Sequence, residues 1–395
     1  MTASWLPPPA DYATVLKAGS EAEAVLARRI LEEAGIPVIV RSRQVPGYGD
    51  VIQKASGVWA DVLVPVAYEA AAREYVAGYL GQMREERNVS RLAGIIPPLV
   101  TLFDREGRID KEANRAHIDR LIAGGVHGVF ALGSTGEAMH LTAEERRTFA
   151  ALVVRHVDGR VPVLVGCLDT STAQAIALAR HAEELGAAGV IVIPPYYWTP
   201  GDQAIEAHIG GVAEAVRLPV LIYNFPAVVG RGISPALVAS LAARYENALG
   251  IKETIDSIGH IHEVLALVKP SKPAFSVFCG FEFHLLNTLL SGGDGCIPAV
   301  ANFAPEPTVA IYEHARAGRL AEAAALMRQR LELAMLYQLP SPQGGVANAP
   351  FFVVVKEAMV LLGQIPHATV RAPAAPLSEV HRARLRELLV SAGLL

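Results

Sequence analysis

The sequence predicts an α/β fold: a (β/α)8 TIM barrel with a C-terminal helical extension, preceded by a small α+β domain. Three observations carry this. From Gly94 onward, eight short apolar runs alternate with amphipathic stretches, and eight β-α units over about 210 residues is the arithmetic of a closed barrel. The runs are continuously apolar, which means burial on both faces, as in a parallel sheet. The rival doubly wound sheet would carry G-x-G-x-x-G after its first strand, and that signature is missing.

The first ninety residues read differently. VLKAG (15–19) is strand-like, and Ser20 with Glu23 forms a capping box opening a helix through EAVLARRILEEAG, with Gly35 as its stop. PVIVRS (37–42) alternates as a half-buried strand. A glycine-bearing loop (46–57), a strand (58–65) and a helix (66–80) complete a β-α-β-β-α unit. The expected division is a small domain over 1–85, a linker over 86–93, the barrel over 94–317 and a helical extension over 318–395.

The barrel strands are expected at 94–103, 128–133, 161–167, 189–195, 219–224, 248–253, 274–280 and 295–300. Between them lie helices such as 171–186, where Leu178, Ala182 and Leu185 share a face. Beyond about residue 317 the reading is helical in three stretches, interrupted by PSPQGGVANAP (340–350).

Composition narrows the function. With 52% hydrophobic and 19% charged residues, the chain is long and apolar enough to bury a large core. Thirty-five basic against 39 acidic residues give a net charge of -4, without the basic stripe of a nucleic-acid binder. No apolar run reaches the roughly 18 residues a membrane span needs, and MTASWLPPPADY has neither the basic nor the apolar region of a secretory signal. Three widely spaced cysteines, Cys167, Cys279 and Cys296, fit neither a disulfide framework nor a zinc site. The expectation is a cytoplasmic protein with no membrane or nucleic-acid partner.

Reactive groups of such a barrel gather at the C-terminal ends of its strands. Lys252 closes the apolar run ALGIK. Desolvation penalises a charged amine, and a neutral amine can attack a carbonyl to form a Schiff base; equally, such a lysine can snorkel to water. Tyr223, in YNFP at the end of the preceding strand, is either a proton-shuttling phenol or an aromatic filling the barrel mouth. GSTGE (133–137) offers the hydroxyls of Ser134 and Thr135 and glycine-freed N–H groups suited to a carboxylate or phosphate; an ordinary turn is the alternative. Tyr196 and Tyr197, in PPYYW, reach either the site or an interface. Metal chemistry has little support: the twelve histidines include no H-x-x-H or H-x-x-x-H, and His260 and His262 read as surface residues of a helix. SGGDG (291–295) reads as a helix cap and turn.

These motifs, in this order and on these strands, resemble the dihydrodipicolinate synthase / N-acetylneuraminate lyase family, from about residue 92 to the C-terminus. IKETIDSIGH, FSVFCG, HLLNTLLSGGDG and NFAP look like its 2-keto-3-deoxygluconate-type aldolase branch. The resemblance implies pyruvate-dependent class I aldol chemistry with no cofactor beyond a covalent Schiff base on lysine, and no metal. By it, Lys252 would form the imine, Tyr223 would relay protons, and Ser134 would link that relay. Thr135 and Gly136 would hold the keto-acid carboxylate. Tyr197 would complete the site across a subunit contact in a homotetramer or dimer of dimers. Gly280 and Ile297, the latter through its carbonyl, would line the pyruvate pocket, and Thr254 and Glu282 would meet the rest of the substrate. Residues 11–82 are similar to a small prokaryotic signal-transducing module of ferredoxin-like type, which implies regulation, a subunit contact or an inert appendage.

Two departures shape the expected substrate. Where dihydrodipicolinate synthases carry an arginine after YNxP, this chain has Val228, with Arg231 three positions on. Where the sugar-acid aldolases tend to carry two acidic residues, it has Phe281, Glu282 and Phe283. The implied activity is cleavage of a 2-keto-3-deoxy sugar acid, or a related and less hydroxylated 4-hydroxy-2-keto acid, to pyruvate and an aldehyde. Condensation of pyruvate with an aldehyde, dehydration of a sugar acid, or a catalytically inactive sensor are the alternatives.

Overall fold

A computed structural model describes residues 11–18, 21–42, 60–76, 92–338 and 351–395. The chain divides into two compact units, Met1–Ser90 and Arg91–Leu395. The Ser20 capping box, the glycine-bearing loop, residues 86–91 of the linker and the 340–350 break expected from sequence lie outside the described residues.

The first unit is a three-stranded antiparallel sheet, β1 (Tyr12–Ala18), β3 (Ala60–Pro65) and β2 (Ile39–Ser42), in the order β1-β3-β2. The central strand is the most buried, and helix α1 (Glu21–Glu33) covers it by packing Ala27 and Leu31 against Val62 and Val64.

The second unit is the barrel. Its strands are β4 (Gly94–Ile95), β5 (Val129–Ala131), β6 (Val163–Gly166), β7 (Gly189–Val192), β8 (Val220–Asn224), β9 (Ala248–Glu253), β10 (Ser276–Cys279) and β11 (Gly295–Cys296). They are parallel neighbours in chain order, with β11 returning to β4. The ring closes between β4 and β5 through a parallel bridge, Pro98 to Phe130. Helices form the outer layer, beginning with α2 (Lys111–Ala123), α3 (Ala143–Val157), α4 (Thr172–Glu184) and α5 (Asp202–Ala215). Side-chain caps set where they start: Asp110 accepts from the Ala113 N–H, Ser171 from that of Gln174, and Thr142 with Glu145 makes a reciprocal capping box. On α4 the buried face is Ala175, Leu178, Ala179 and Ala182; Leu185 is its half-buried C-cap.

The first barrel strand is far shorter than the ten residues expected. Pro97 and Pro98 have no N–H for a ladder, and side chains take over. Asn302 Oδ1 accepts from the Val100 N–H (3.1 Å) while its Nδ2 donates to the Pro98 carbonyl (2.8 Å). Asn114 bonds both the N–H and the carbonyl of Leu102 (3.0 and 2.8 Å). Every polar backbone group so satisfied can stay buried without a strand partner.

Helices α6 (Pro226–Val229), α7 (Pro235–Arg244), α8 (Ile258–Val268), α9 (Leu285–Leu290) and α10 (Pro305–Arg316) complete the outer ring. The C-terminal extension adds α11 (Leu320–Arg330), a 3-10 stretch over Leu331–Gln338, α12 (Phe351–Leu361) and α13 (Glu379–Ser391). Phe352, Val355, Met359, Leu385 and Leu389 pack on Val100, Leu102 and Phe303, just beyond the C-terminal ends of β4 and β11. The extension thus lies against the end of the barrel where reactive groups gather.

Gly295 shows how tightly the sheet closes. Its φ is +155°, and a Cβ there would stand 2.0 Å from the Gly94 carbonyl oxygen. Gly295→Ala should destabilise the barrel by about 3 kcal/mol or more, since rigid backbone must move. Gly318→Ala, with φ +75° but open space around it, should cost only about 1–2 kcal/mol. Urea unfolding of the two variants checks the order.

Candidate active site

Strand register builds the centre of the site. Tyr223 of β8 pairs with Lys252 of β9, which pairs with Phe278 of β10. Register partners in a parallel sheet point to the same face, so the phenol and the amine stand side by side. Lys252 Nζ donates to Tyr223 Oη at 3.0 Å. The amine also lies 4.2 Å from the Tyr223 ring centroid and 5.2 Å from that of Phe130. Lys252 is 4% exposed and Tyr223 2%, so neither the snorkelling lysine nor a merely space-filling tyrosine describes what is there. Phe225 stacks on Tyr223 with centroids 5.7 Å apart.

GSTGE follows β5 as a tight turn between two left-handed residues, Leu132 (φ 61°) and Glu137 (φ 55°). The turn consumes the N–H groups of Gly136, Glu137 and Ala138, which donate to Gly133, Ser134 and Gly133 carbonyls. The Gly136 N–H is thus engaged within the turn. The N–H groups of Ser134 and Thr135 take no part in the turn, and both residues are half-buried. Gly136 serves by its lack of a side chain: a Cβ would stand 2.7 Å from the Leu99 carbonyl. Its own carbonyl accepts from Thr101 Oγ1 (2.6 Å).

The other wall comes from β9, β10 and β11. Thr254, two positions beyond Lys252, is 9% exposed, and its Oγ1 has no hydrogen-bond partner. A buried hydroxyl left open in this way is costly unless a ligand meets it. A Cβ at Gly280 would sit 2.3 Å from that hydroxyl, so only glycine fits. The Ile297 N–H is spent on the Cys279 carbonyl (2.9 Å), and Glu282 is buried in the 3-10 turn after β10. Phe281 and Phe283 stack with centroids 5.2 Å apart. Tyr197 stands apart from this cluster, 91% exposed. Among the described residues, no group of three or more His, Cys, Asp or Glu is placed to hold a metal, and no helix is long and apolar enough to cross a membrane.

The sequence reading missed what holds the phenol and amine in place. On the opposite face of the strands, Asn224 Nδ2 donates to Glu253 Oε2 (2.7 Å), and Asn224 Oδ1 accepts from the Ile233 N–H (3.0 Å). The Thr254 N–H returns to the Asn224 carbonyl (2.8 Å). His260 is half-buried rather than on the surface: one ring nitrogen bonds the Ile233 carbonyl (3.0 Å) and the other lies 3.5 Å from Glu253 Oε1. Burial pushes the Glu253 carboxyl up to about 8, against the pull of Asn224. A period-2 reading would have found Asn224 and Glu253 as polar residues facing the helices from inside buried strands.

Folded Glu253 therefore keeps a proton that the unfolded chain releases, so its contribution to stability is full below about pH 4.5 and is lost as pH rises to about 8. The stability of the natural chain relative to Glu253→Gln should fall between pH 5 and 8. Urea unfolding of both across that range tests this; a constant difference would refute it.

Residues 91–392 match the family model for the dihydrodipicolinate synthetase family. The chain is 45% identical over 296 residues to Escherichia coli YagE, provisionally named a 2-dehydro-3-deoxy-D-gluconate aldolase, covering 75% of this chain and 95% of that one. It is 42% identical to E. coli YjhH, provisionally named a 2-dehydro-3-deoxy-D-pentonate aldolase, covering 78% and 99%. Among solved structures, YagE in complex with pyruvate aligns with a TM-score of 0.73 at 44% identity, covering 77% of this chain and 99% of that one. Thermotoga maritima dihydrodipicolinate synthase aligns at 0.72 and 31%, covering 77% and 100%. With three quarters of its length matched in sequence and in fold, the chain belongs to the dihydrodipicolinate synthetase family.

Proposed function

We propose that this protein is a pyruvate-dependent class I aldolase that cleaves a 2-keto-3-deoxy sugar acid, or a related 4-hydroxy-2-keto acid, to pyruvate and an aldehyde. The observation that carries the reading is the buried amine of Lys252, 3.0 Å from the Tyr223 phenol at the C-terminal ends of adjacent strands. The likeness to YagE and YjhH supports the sugar-acid substrate class.

The neutral amine adds to the C2 carbonyl. A proton passes from nitrogen to oxygen, and the resulting carbinolamine loses water as the phenol of Tyr223 protonates the departing hydroxyl. This leaves a protonated imine and a tyrosinate. The tyrosinate takes the C4 hydroxyl proton, the C3–C4 bond breaks, and its electrons enter the imine to give an enamine and a free aldehyde. The phenol then protonates C3, and water hydrolyses the imine to release pyruvate and the amine. Ser134 links the relay, and Thr135 and the unspent N–H groups of the turn hold the substrate carboxylate. Gly280 and the Ile297 carbonyl line the pyruvate portion. Thr254 and Glu282 meet the distal part, where the Phe281–Phe283 stack favours a less hydroxylated tail. The imine supplies the electron sink, so the proposal needs no added cofactor.

Condensation in the manner of dihydrodipicolinate synthase is less well supported. Val228 stands where that reaction's arginine is expected, and Arg231 is engaged with Asp202 (2.6 Å) and the Pro200 carbonyl (3.2 Å). The exposed Tyr197 supports a homotetramer or dimer of dimers in which it reaches a neighbouring site. Three buried free thiols suit a reducing, cytoplasmic setting. Residues 1–85 would form a regulatory or subunit-contact module, 86–93 the linker, 94–317 the barrel and 318–395 its extension.

Borohydride with pyruvate should label Lys252 alone, and Lys252→Ala should abolish both label and turnover; a label on another lysine overturns the proposal. Tyr223→Phe should lower kcat about 10²–10⁴-fold, measured as pyruvate release coupled to lactate dehydrogenase. In the same assay, 2-keto-3-deoxygluconate, its five-carbon analogue and a less hydroxylated 4-hydroxy-2-keto acid should all release pyruvate, and N-acetylneuraminate should not.

A further inference from the structure

Lys356 is buried in α12 of the C-terminal extension, with its side chain 1% exposed. Its ammonium pairs with the fully buried Glu137 carboxylate at the end of the GSTGE turn, 219 residues earlier in the chain. The same ammonium donates to the Thr369 carbonyl (2.9 Å) and lies 4.4 Å from the Phe103 ring centroid. The other oxygen of Glu137 accepts from the Arg371 N–H (3.0 Å) and lies 3.4 Å from His140 Nδ1. Arg371 is itself clamped, with both terminal nitrogens on Glu145 (2.7 and 2.6 Å) and two contacts to the Gly107 carbonyl (3.0 and 2.8 Å).

Glu137 needs such a clamp. Its φ of 55° is left-handed, a conformation costing a non-glycine residue about 1 kcal/mol or more. The surroundings must over-determine a residue held there. Its N–H closes the turn on Ser134, the residue whose own N–H is left unspent. Released, Glu137 can relax, and the Ser134 and Thr135 N–H groups lose their fixed aim.

We infer that Lys356 and Arg371 are positioning residues: through Glu137, the C-terminal extension sets the carboxylate-binding turn of the active site. The inference rests on the aldolase reading and adds to it a remote determinant of substrate affinity. The groups facing Lys356 and its partner are Glu137, His140, Arg371 and, behind Arg371, Glu145. Burial lowers Lys356 to about 8 although Glu137 pulls the other way. Despite the burial that would raise it, Glu137 is held below the ordinary carboxylate range by His140 and Lys356. Above pH 8 the carboxylate therefore keeps its charge while its partner loses one.

The test compares two ketones, pyruvate and 1-hydroxypropan-2-one, in borohydride trapping on the full chain. The ratio of their half-saturating concentrations reports carboxylate recognition, because imine formation on Lys252 is common to both. In the natural chain, preference for pyruvate should fall as pH rises from 7 to 9.5. Lys356→Met should lower it at least about tenfold at pH 7, the consequence of leaving a buried charge unpaired, and make it independent of pH. Adding Glu137→Gln should restore part of it by removing the unpaired charge; the ratio itself separates positioning from general destabilisation, which would weaken both ketones alike. A preference unchanged by Lys356→Met, or a flat profile in the natural chain, overturns the inference. If Lys356→Met does not fold, the natural profile and Arg371→Ala, which should weaken pyruvate selectively, decide it. Failure to trap either ketone overturns the aldolase reading itself.

Discussion

The parallel register of β8 and β9 sets the chemistry of this protein. It puts the phenol of Tyr223 and the amine of Lys252 on one face of the sheet, within hydrogen-bond distance. The same pairing sends Asn224 and Glu253 to the other face, where they bond to each other. One strand pairing therefore makes both the amine–phenol contact and the amide–carboxylate bond behind it. A slip of β9 by one residue against β8 would turn over the faces of β9 and place the Glu253 carboxylate where the amine now stands.

Much of this was legible in the sequence because it is local. Lys252 and Tyr223 end continuous apolar runs, and the C-terminal ends of barrel strands are where reactive groups gather. The eight strands were legible for the same reason, and the over-long reading of the first has a physical cause. Where Pro97 and Pro98 end the ladder of β4, apolar residues through Phe103 remain buried, but Asn114 and Asn302 serve their backbone instead of a strand. Hydropathy records burial, not the identity of the hydrogen-bond partner.

What the sequence concealed is long-range pairing. His260 reads as a helix-surface residue until the segment leading into α7 and the end of β9 are seen beside it, supplying the Ile233 carbonyl and the Glu253 carboxylate. Lys356 lies in an apolar helix that gives no sign of its partner, since the acid it meets is in a turn after the second barrel strand. The need for glycine at position 136 was also hidden, because the Leu99 carbonyl that a side chain there would strike comes from the segment after β4.

The ion pair between Glu137 and Lys356 also bears on how the protein comes into being. A ribosome makes the GSTGE turn long before it makes α12, and throughout that interval Glu137 lacks the ammonium, the Arg371 N–H and the apolar cover that come with the extension. If the extension sets the turn as inferred, the carboxylate-binding turn is completed only by residues made some two hundred positions later in the chain.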